Sequence, residues 1–173
     1  MLHEGQTGSM VSLDSILPDT SLVALANLAG EITVVDGEVY LSDAEGTEST
    51  RTEVARETNA GAALLVTAGV PSWQSLRIEH AIRFEELQWH VVDGTRLNAG
   101  ETTHQDHLSA SVRSQRSRAS ATLVGFHSDR DQGVFTHMGS KTHIHCVVAE
   151  PVSAGHVDHV TVPAGTTVKF PAL

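Results

Sequence analysis

The chain has 173 residues and a mass of 18.4 kDa, enough for one domain with a sizeable core, and at 40% hydrophobic but only 4% aromatic content that core must be built from Ala, Val, Leu and Ile. A formal net charge of −10 without any basic stripe argues against nucleic acid as a partner, because an acidic surface repels phosphate. The single cysteine, Cys146, rules out an internal disulfide; no apolar run is long enough to cross a bilayer, and Met1-Leu2-His3-Glu4-Gly5 lacks the basic start of a signal peptide, so the expectation is a cytoplasmic protein with no membrane contact.

In chain order, residues 1–11 read as a disordered or frayed N-terminus and 12–173 as one domain, with Asp14-Ser15-Ile16-Leu17 fitting a helical turn before Pro18. Leu22, Val23, Leu25 and Leu28 lead into Gly30-Glu31-Ile32-Thr33-Val34-Val35, then Asp36-Gly37, then Glu38-Val39-Tyr40-Leu41. A β-branched run, an Asp-Gly pair and a second apolar run predict a hairpin, since both central residues of a type I′ turn need positive φ. Asp43–Asn59 is charged and rich in Ser and Thr, a loop with a weak helix or edge strand, and Ala62–Ala68 reads as a buried strand. Ser72–Glu86 is the best helix candidate, with Ser72 as N-cap and Leu76, Ile78, Ala81, Ile82 and Phe84 as its apolar residues. Leu87–Val92 reads as a strand ending at a second turn, Asp93-Gly94, and Asp106–Gln115 as a short helix. Arg113, Arg116 and Arg118 make a small basic patch, read as a solvated face. Ala121–Phe126, Thr142–Ala149, Val157–Val162 and Thr166–Phe170 read as strands, with a loop over Asp129–Gly139 and a turn at Pro163-Ala164-Gly165. About seven to nine strands with one or two helices give an α+β fold class: a β-rich single domain of mostly antiparallel strands.

Thr142-His143-Ile144-His145 puts two histidines on one face of a strand, because side chains alternate with a period of two. His156, preceded by Gly155, lies eleven residues past His145, far enough to return on a neighbouring strand. Three protein nitrogens with an open fourth position are the usual arrangement of a catalytic zinc. The competing reading is surface histidines in a chain that holds 11 of them. Cys146 points to the opposite face from His145 and reads as a small buried hydrophobe. His90 is either a pocket residue or a core or surface one. His127 and His137 read as loop-surface residues, and His159 as facing away from His156. His80, His104 and His107 show no ligand spacing, and Trp73 and Trp89 read as core aromatics.

Four stretches in the same order resemble the acetolactate decarboxylase family. Gly30–Tyr40 is similar to its Gly-Glu-Leu hairpin, Leu87–Gly94 to its central strand ending in Asp-Gly, and Ala121-Thr122-Leu123-Val124-Gly125-Phe126 to its Gly-Thr-hydrophobic-Val-Gly-Phe strand. His143-Ile144-His145 with Gly155-His156-Val157 resembles its His-x-His and Gly-Gly-His-Val zinc motif. The resemblance implies zinc, or another divalent transition metal, on His143, His145 and His156, with Glu31 as a catalytic carboxylate facing the same pocket. Without it Glu31 would be an ordinary strand-start glutamate. It further implies a zinc-dependent lyase that stabilises the enediolate or enolate of a hydroxy-keto or β-keto acid, with room for a homodimer. Two departures stand out: the family's arginine beyond the second Asp-Gly turn falls here at Thr102, and the chain stops at Leu173 without a counterpart to the family's C-terminal glutamate. These leave open a metal-dependent cyclase, dehydratase or isomerase acting on a β-dicarbonyl substrate in biosynthesis, and an inactive metal-binding module. A cupin-like metalloenzyme is the other alternative, since Gly139, His143, His145 and Glu150 superficially follow the cupin order; it requires Glu150 on the metal.

Overall fold

A computed structural model describes residues 20–25, 29–36, 38–46, 49–55, 63–66, 74–78, 83–98, 103–130, 136 and 139–169. The expected N-terminal fraying and the helical turn at 14–17 lie outside these residues, as do His80, His137 and Trp73.

Every strand pairing among the described residues is antiparallel, and the strands fall into two sheets. The first contains β1 (Thr20–Leu25), β2 (Glu31–Val35), β3 (Glu38–Glu45), β4 (Ser49–Ala55) and β5 (Ala63–Val66), in the order β4-β3-β2-β1-β5. The expected hairpin is β2–β3, and Asp36 takes a φ of 52° at its turn. The charged stretch after Asp43 supplies the edge strand β4, which suits its Ser, Thr and Glu content because one edge and one face stay wet.

The second sheet contains β6 (Gln74–Ile78), β7 (Arg83–Val92), β8 (Ser111–His127), β9 (Thr142–Val148) and β10 (Ser153–Thr161), in the order β6-β8-β7-β10-β9 with β8 also pairing β9. β7, β8, β9 and β10 therefore pair in a closed ring. All four contribute to one cluster: Phe84, Leu87 and Trp89 of β7, Ala121 and Leu123 of β8, Cys146 and Val148 of β9, with Val157 and Val160 of β10 packed on it. A cluster shared by every strand of a ring is the inside of that ring. Each fully buried large apolar side chain contributes about 1.5–3 kcal/mol relative to exposure, so this interior is the main source of stability in the second sheet. β2 and β3 pack on β10, and β2 also on β9, so the first sheet lies against the outside of the ring.

The expected helix over Ser72–Glu86 is not formed. Its described residues are β6 and the start of β7, and both run along β8, from Gln74↔His127 to Ile78↔Leu123 and onward from Arg83↔Ser120. Phe84 and Leu87 are both fully buried, at a spacing of three that strict strand alternation does not allow. In the structure it marks a change of face along β7, opposite Arg118, whose φ of 54° breaks the regular alternation of β8.

The second expected helix, Asp106–Gln115, forms only in its first part, and residues 111–115 are strand. α1 (His104–Ser109) starts at a capping box between Thr103 and Asp106, and β8 begins at Ser111, so Arg113 and Arg116 are strand residues. Asp93 caps a 3-10 turn, Gly94–Arg96, in place of a tight hairpin turn. Thr166–Phe170 does not form the expected strand; among its described residues only an isolated bridge at Lys169 remains. With one six-residue helix and one 3-10 turn among the described residues, the α+β label holds only loosely: the architecture is two antiparallel sheets with little helix. No helix among the described residues is long and apolar enough to cross a membrane.

Candidate metal centre

Strand register builds the histidine cluster. His145 of β9 lies opposite His156 of β10, and His156 lies opposite His90 of β7. Directly opposed residues of an antiparallel pair share a face, so three adjacent strands present a row of imidazoles. His143 joins it by alternation along β9. This is the outer face of the ring, against which β2 packs. His145 is 1% exposed, His156 is buried and His143 half-buried.

One ring nitrogen from each of His143, His145 and His156 lies within 4.8 Å of the other two. The Nε2 atoms of His143 and His145 are 3.3 Å apart. Ligand nitrogens of a tetrahedral zinc, with bonds of about 2.0–2.1 Å, stand about 3.3–3.4 Å apart, so that pair already has the spacing of two ligands to one ion. Across the contact between the sheets stands Thr33 of β2, whose Oγ1 is 2.9 Å from His145 Nδ1. A hydrogen bond there fixes the ring and leaves Nε2 as the nitrogen facing the cluster. Glu31, two residues earlier on the same face of β2, places a carboxylate oxygen 3.9 Å from His145 Nε2. The donor set, three imidazoles and one adjacent carboxylate, fits a divalent first-row metal such as zinc.

Two glycines bring the strands this close. A Cβ on Gly155, the residue before His156, would stand 2.6 Å from the carbonyl oxygen of His90 and 2.8 Å from the Trp89 ring. A Cβ on Gly30, the residue before Glu31, would stand 2.2 Å from the carbonyl oxygen of Ser42. Side chains at either position would push His156 off β7 or Glu31 off β3.

Burial raises the Glu31 carboxyl from its ordinary range to about 7; the nearby His90 charge and a hydrogen bond from the Val92 backbone N–H pull the other way without cancelling the loss of water. His90 is buried beside the cluster, its ring stacked on that of His156 with centroids 4.9 Å apart and planes at 28°. Its Nδ1 is 2.8 Å from Asp158 Oδ1. Cys146 is fully buried inside the ring, on the opposite face from His145, and burial pushes its thiol far up, so it is chemically inert there.

The structure thus brings Glu31, His143, His145 and His156 together and adds His90 at their edge. It separates others from them. Glu150 is exposed in the turn after β9, five residues beyond His145 and so about 16 Å along an extended chain; the cupin-like pattern, which needs it on the metal, finds no support. His127 is half-buried near Asp129, and His159 is exposed. Arg96 is held by Asp93 and by the Gly46 carbonyl, while Thr102 lies outside the described residues. Thr33 and Asp158 are the residues sequence reasoning missed. The signal for Thr33 was present, since it follows Glu31 by two on a strand.

No family model matches the chain, and no curated protein matches it in sequence. Solved structures do. An α-acetolactate decarboxylase from Bacillus subtilis strain 168 superposes with a TM-score of 0.72 at 19% identity, over 98% of this chain and 80% of that one. An acetolactate decarboxylase from Bacillus subtilis subspecies spizizenii gives 0.71 at 18% identity, over 98% and 81%. A Staphylococcus aureus protein of unknown function, described as similar to α-acetolactate decarboxylase, gives 0.67 at 13% identity, over 91% and 75%. These likenesses show that the chain has the fold of the acetolactate decarboxylases.

Proposed function

We propose that this protein is a metal-dependent carbon–carbon lyase of the acetolactate decarboxylase type, holding zinc or another divalent transition metal on His143, His145 and His156. The observation that carries the reading is the convergence of three imidazole nitrogens beside a buried carboxyl, on a fold shared with acetolactate decarboxylases. Bound zinc would supply Lewis-acid stabilisation of negative charge developing on adjacent oxygens of a hydroxy-keto or β-keto acid as CO2 leaves. His143, His145 and His156 would hold it, with Thr33 locking the His145 ring.

Glu31 handles the proton. After CO2 is lost, the product carbon must gain one on a defined face. In the metal-free protein burial raises this carboxyl to about 7; a divalent cation beside it would offset part of that rise, leaving a group that exchanges a proton at or below neutral pH, as a general acid must. The first sheet, lying over the histidine row, limits water around Glu31 and keeps that carboxyl in its raised state.

The substrate class is a small hydroxy-keto, β-keto or β-dicarbonyl compound able to offer two neighbouring oxygens. CO2 release from racemic acetolactate by zinc-loaded protein is the direct assay. Turnover that depends on both the metal and Glu31 supports the reading. Absence of CO2 with an intact, zinc-bound protein rules out acetolactate and moves the assignment to enolate chemistry without decarboxylation.

A further inference from the structure

Arginines lie outside the site described above and cluster where the sequence alone suggested only a solvated face. Arg113 and Arg116 of β8 line a surface pocket of about 470 Å³ together with Ser49 and Thr50 of β4, Trp89 of β7, and Pro151–Ser153 at the start of β10. No acidic side chain lines it, although the chain carries 21 acidic residues against 11 Lys and Arg. The histidines and Glu31 do not line it either.

Its donors are set up for a ligand. Arg116 is posed by its own scaffold: Nη1 donates to the Glu150 carbonyl at 2.8 Å, and the guanidinium lies 5.9 Å from the Trp89 ring centroid. That leaves most of its fixed fork of N–H groups uncommitted. Arg113 is exposed and forms no ion pair with any described residue. Trp89, 1% exposed, carries the one buried side-chain polar atom without a hydrogen-bond partner among the described residues, its indole Nε1–H. A buried donor without an acceptor is costly and calls for an unseen partner. Arg113, Arg116, Ser114 and Thr50 all line the pocket, and the orphan indole N–H lies buried in one of its lining residues.

We propose that this pocket is a binding site for a small organic anion, whose carboxylate or phosphate group is held by the arginines that line it, Arg113 and Arg116. Planar or tetrahedral oxyanions match the guanidinium fork two oxygens at a time. An occupant would bridge the edge strand of the first sheet to the ring of the second. Ser153 opens β10, the strand of His156, and Arg113 pairs in register with His90, so the pocket abuts the scaffold of the histidine row. The assignment stands whether or not the histidines hold zinc.

The test is an amide and indole NMR titration of the full ¹⁵N-labelled chain with succinate and, separately, inorganic phosphate. The two indole signals are told apart by Trp73→Phe. The Trp89 indole signal is expected to shift saturably with at least one anion, and the preferred one identifies the head group. Arg113→Ala should weaken that response by about tenfold or more, with Arg113→Lys intermediate. The proposal is overturned if neither anion moves the Trp89 indole, if Arg113→Ala titrates like the parent, or if only residues around His143, His145 and His156 respond.

Discussion

On one face of β9, Ile144, Cys146 and Val148 pack into or against the apolar interior of the ring. On the other face of the same seven-residue strand, His143 and His145 meet Thr33 and Glu31 from the opposite sheet. The two faces are built on different terms. The inner one needs volume and apolarity, and any residue that supplies both preserves it. The outer one must satisfy each buried polar atom individually, because an unpaired one costs the full loss of hydration. Chemistry therefore belongs on the outer face and stability on the inner one, and substitutions on the two faces should fail in different ways.

The largest separation of the two should come from Glu31→Gln, which keeps size and hydrogen bonding but cannot give up a proton. Metal content is expected to stay at the parent level while turnover falls about 10²–10⁴-fold. A pH dependence accompanies it. Without metal, Glu31 holds its proton up to about 7 when folded, against an ordinary value of 4.5. Its contribution to stability is therefore fully present below pH 4.5 and is lost as pH rises through 7. The parent protein, stripped of metal, should lose up to about 3 kcal/mol relative to Glu31→Gln across that window, read from urea midpoints.

Thr33→Val sharpens the outer face from its supporting layer. The ring of His145 loses its Nδ1 partner while the shape is kept, and metal affinity should fall about 10–100-fold in a chelator competition. The inner face gives the smallest functional effect. Cys146→Ser buries a hydroxyl among apolar neighbours and should cost about 1–3 kcal/mol of stability, with metal affinity unchanged even though His145 is the adjacent residue. A large loss of metal affinity in Cys146→Ser would show that the two faces are not independent.

Local patterns carried much of this molecule into view. The β2–β3 hairpin was legible because Asp36-Gly37 and its β-branched flanks leave little alternative. The histidine row was half legible: period-two alternation paired His143 with His145, but only register across β10 and β7 shows that His156 and His90 stand side by side. Glu31 carried no local signal; its place depends on one sheet packing on another, over a hundred residues away in sequence. The segment 72–86 was misread because Leu76, Ile78, Ala81, Ile82 and Phe84 have a helix-compatible spacing, while pairing along β8 holds Gln74–Ile78 and the residues from Arg83 onward as strands. Asp158 left no mark because its hydrogen bond to His90 depends on the register of β10 on β7, and Thr33 left only its place two residues after Glu31, since its bond to His145 crosses between sheets.

The most direct test of the account is the metal content of the protein purified without chelator, beside His145→Ala treated identically. The parent is expected to carry about one equivalent of zinc or another divalent transition metal, in keeping with a single three-histidine site, and His145→Ala to carry background levels while remaining folded. A folded parent that holds no transition metal and takes up none on titration with zinc, or a His145→Ala protein that keeps its full complement, would contradict it.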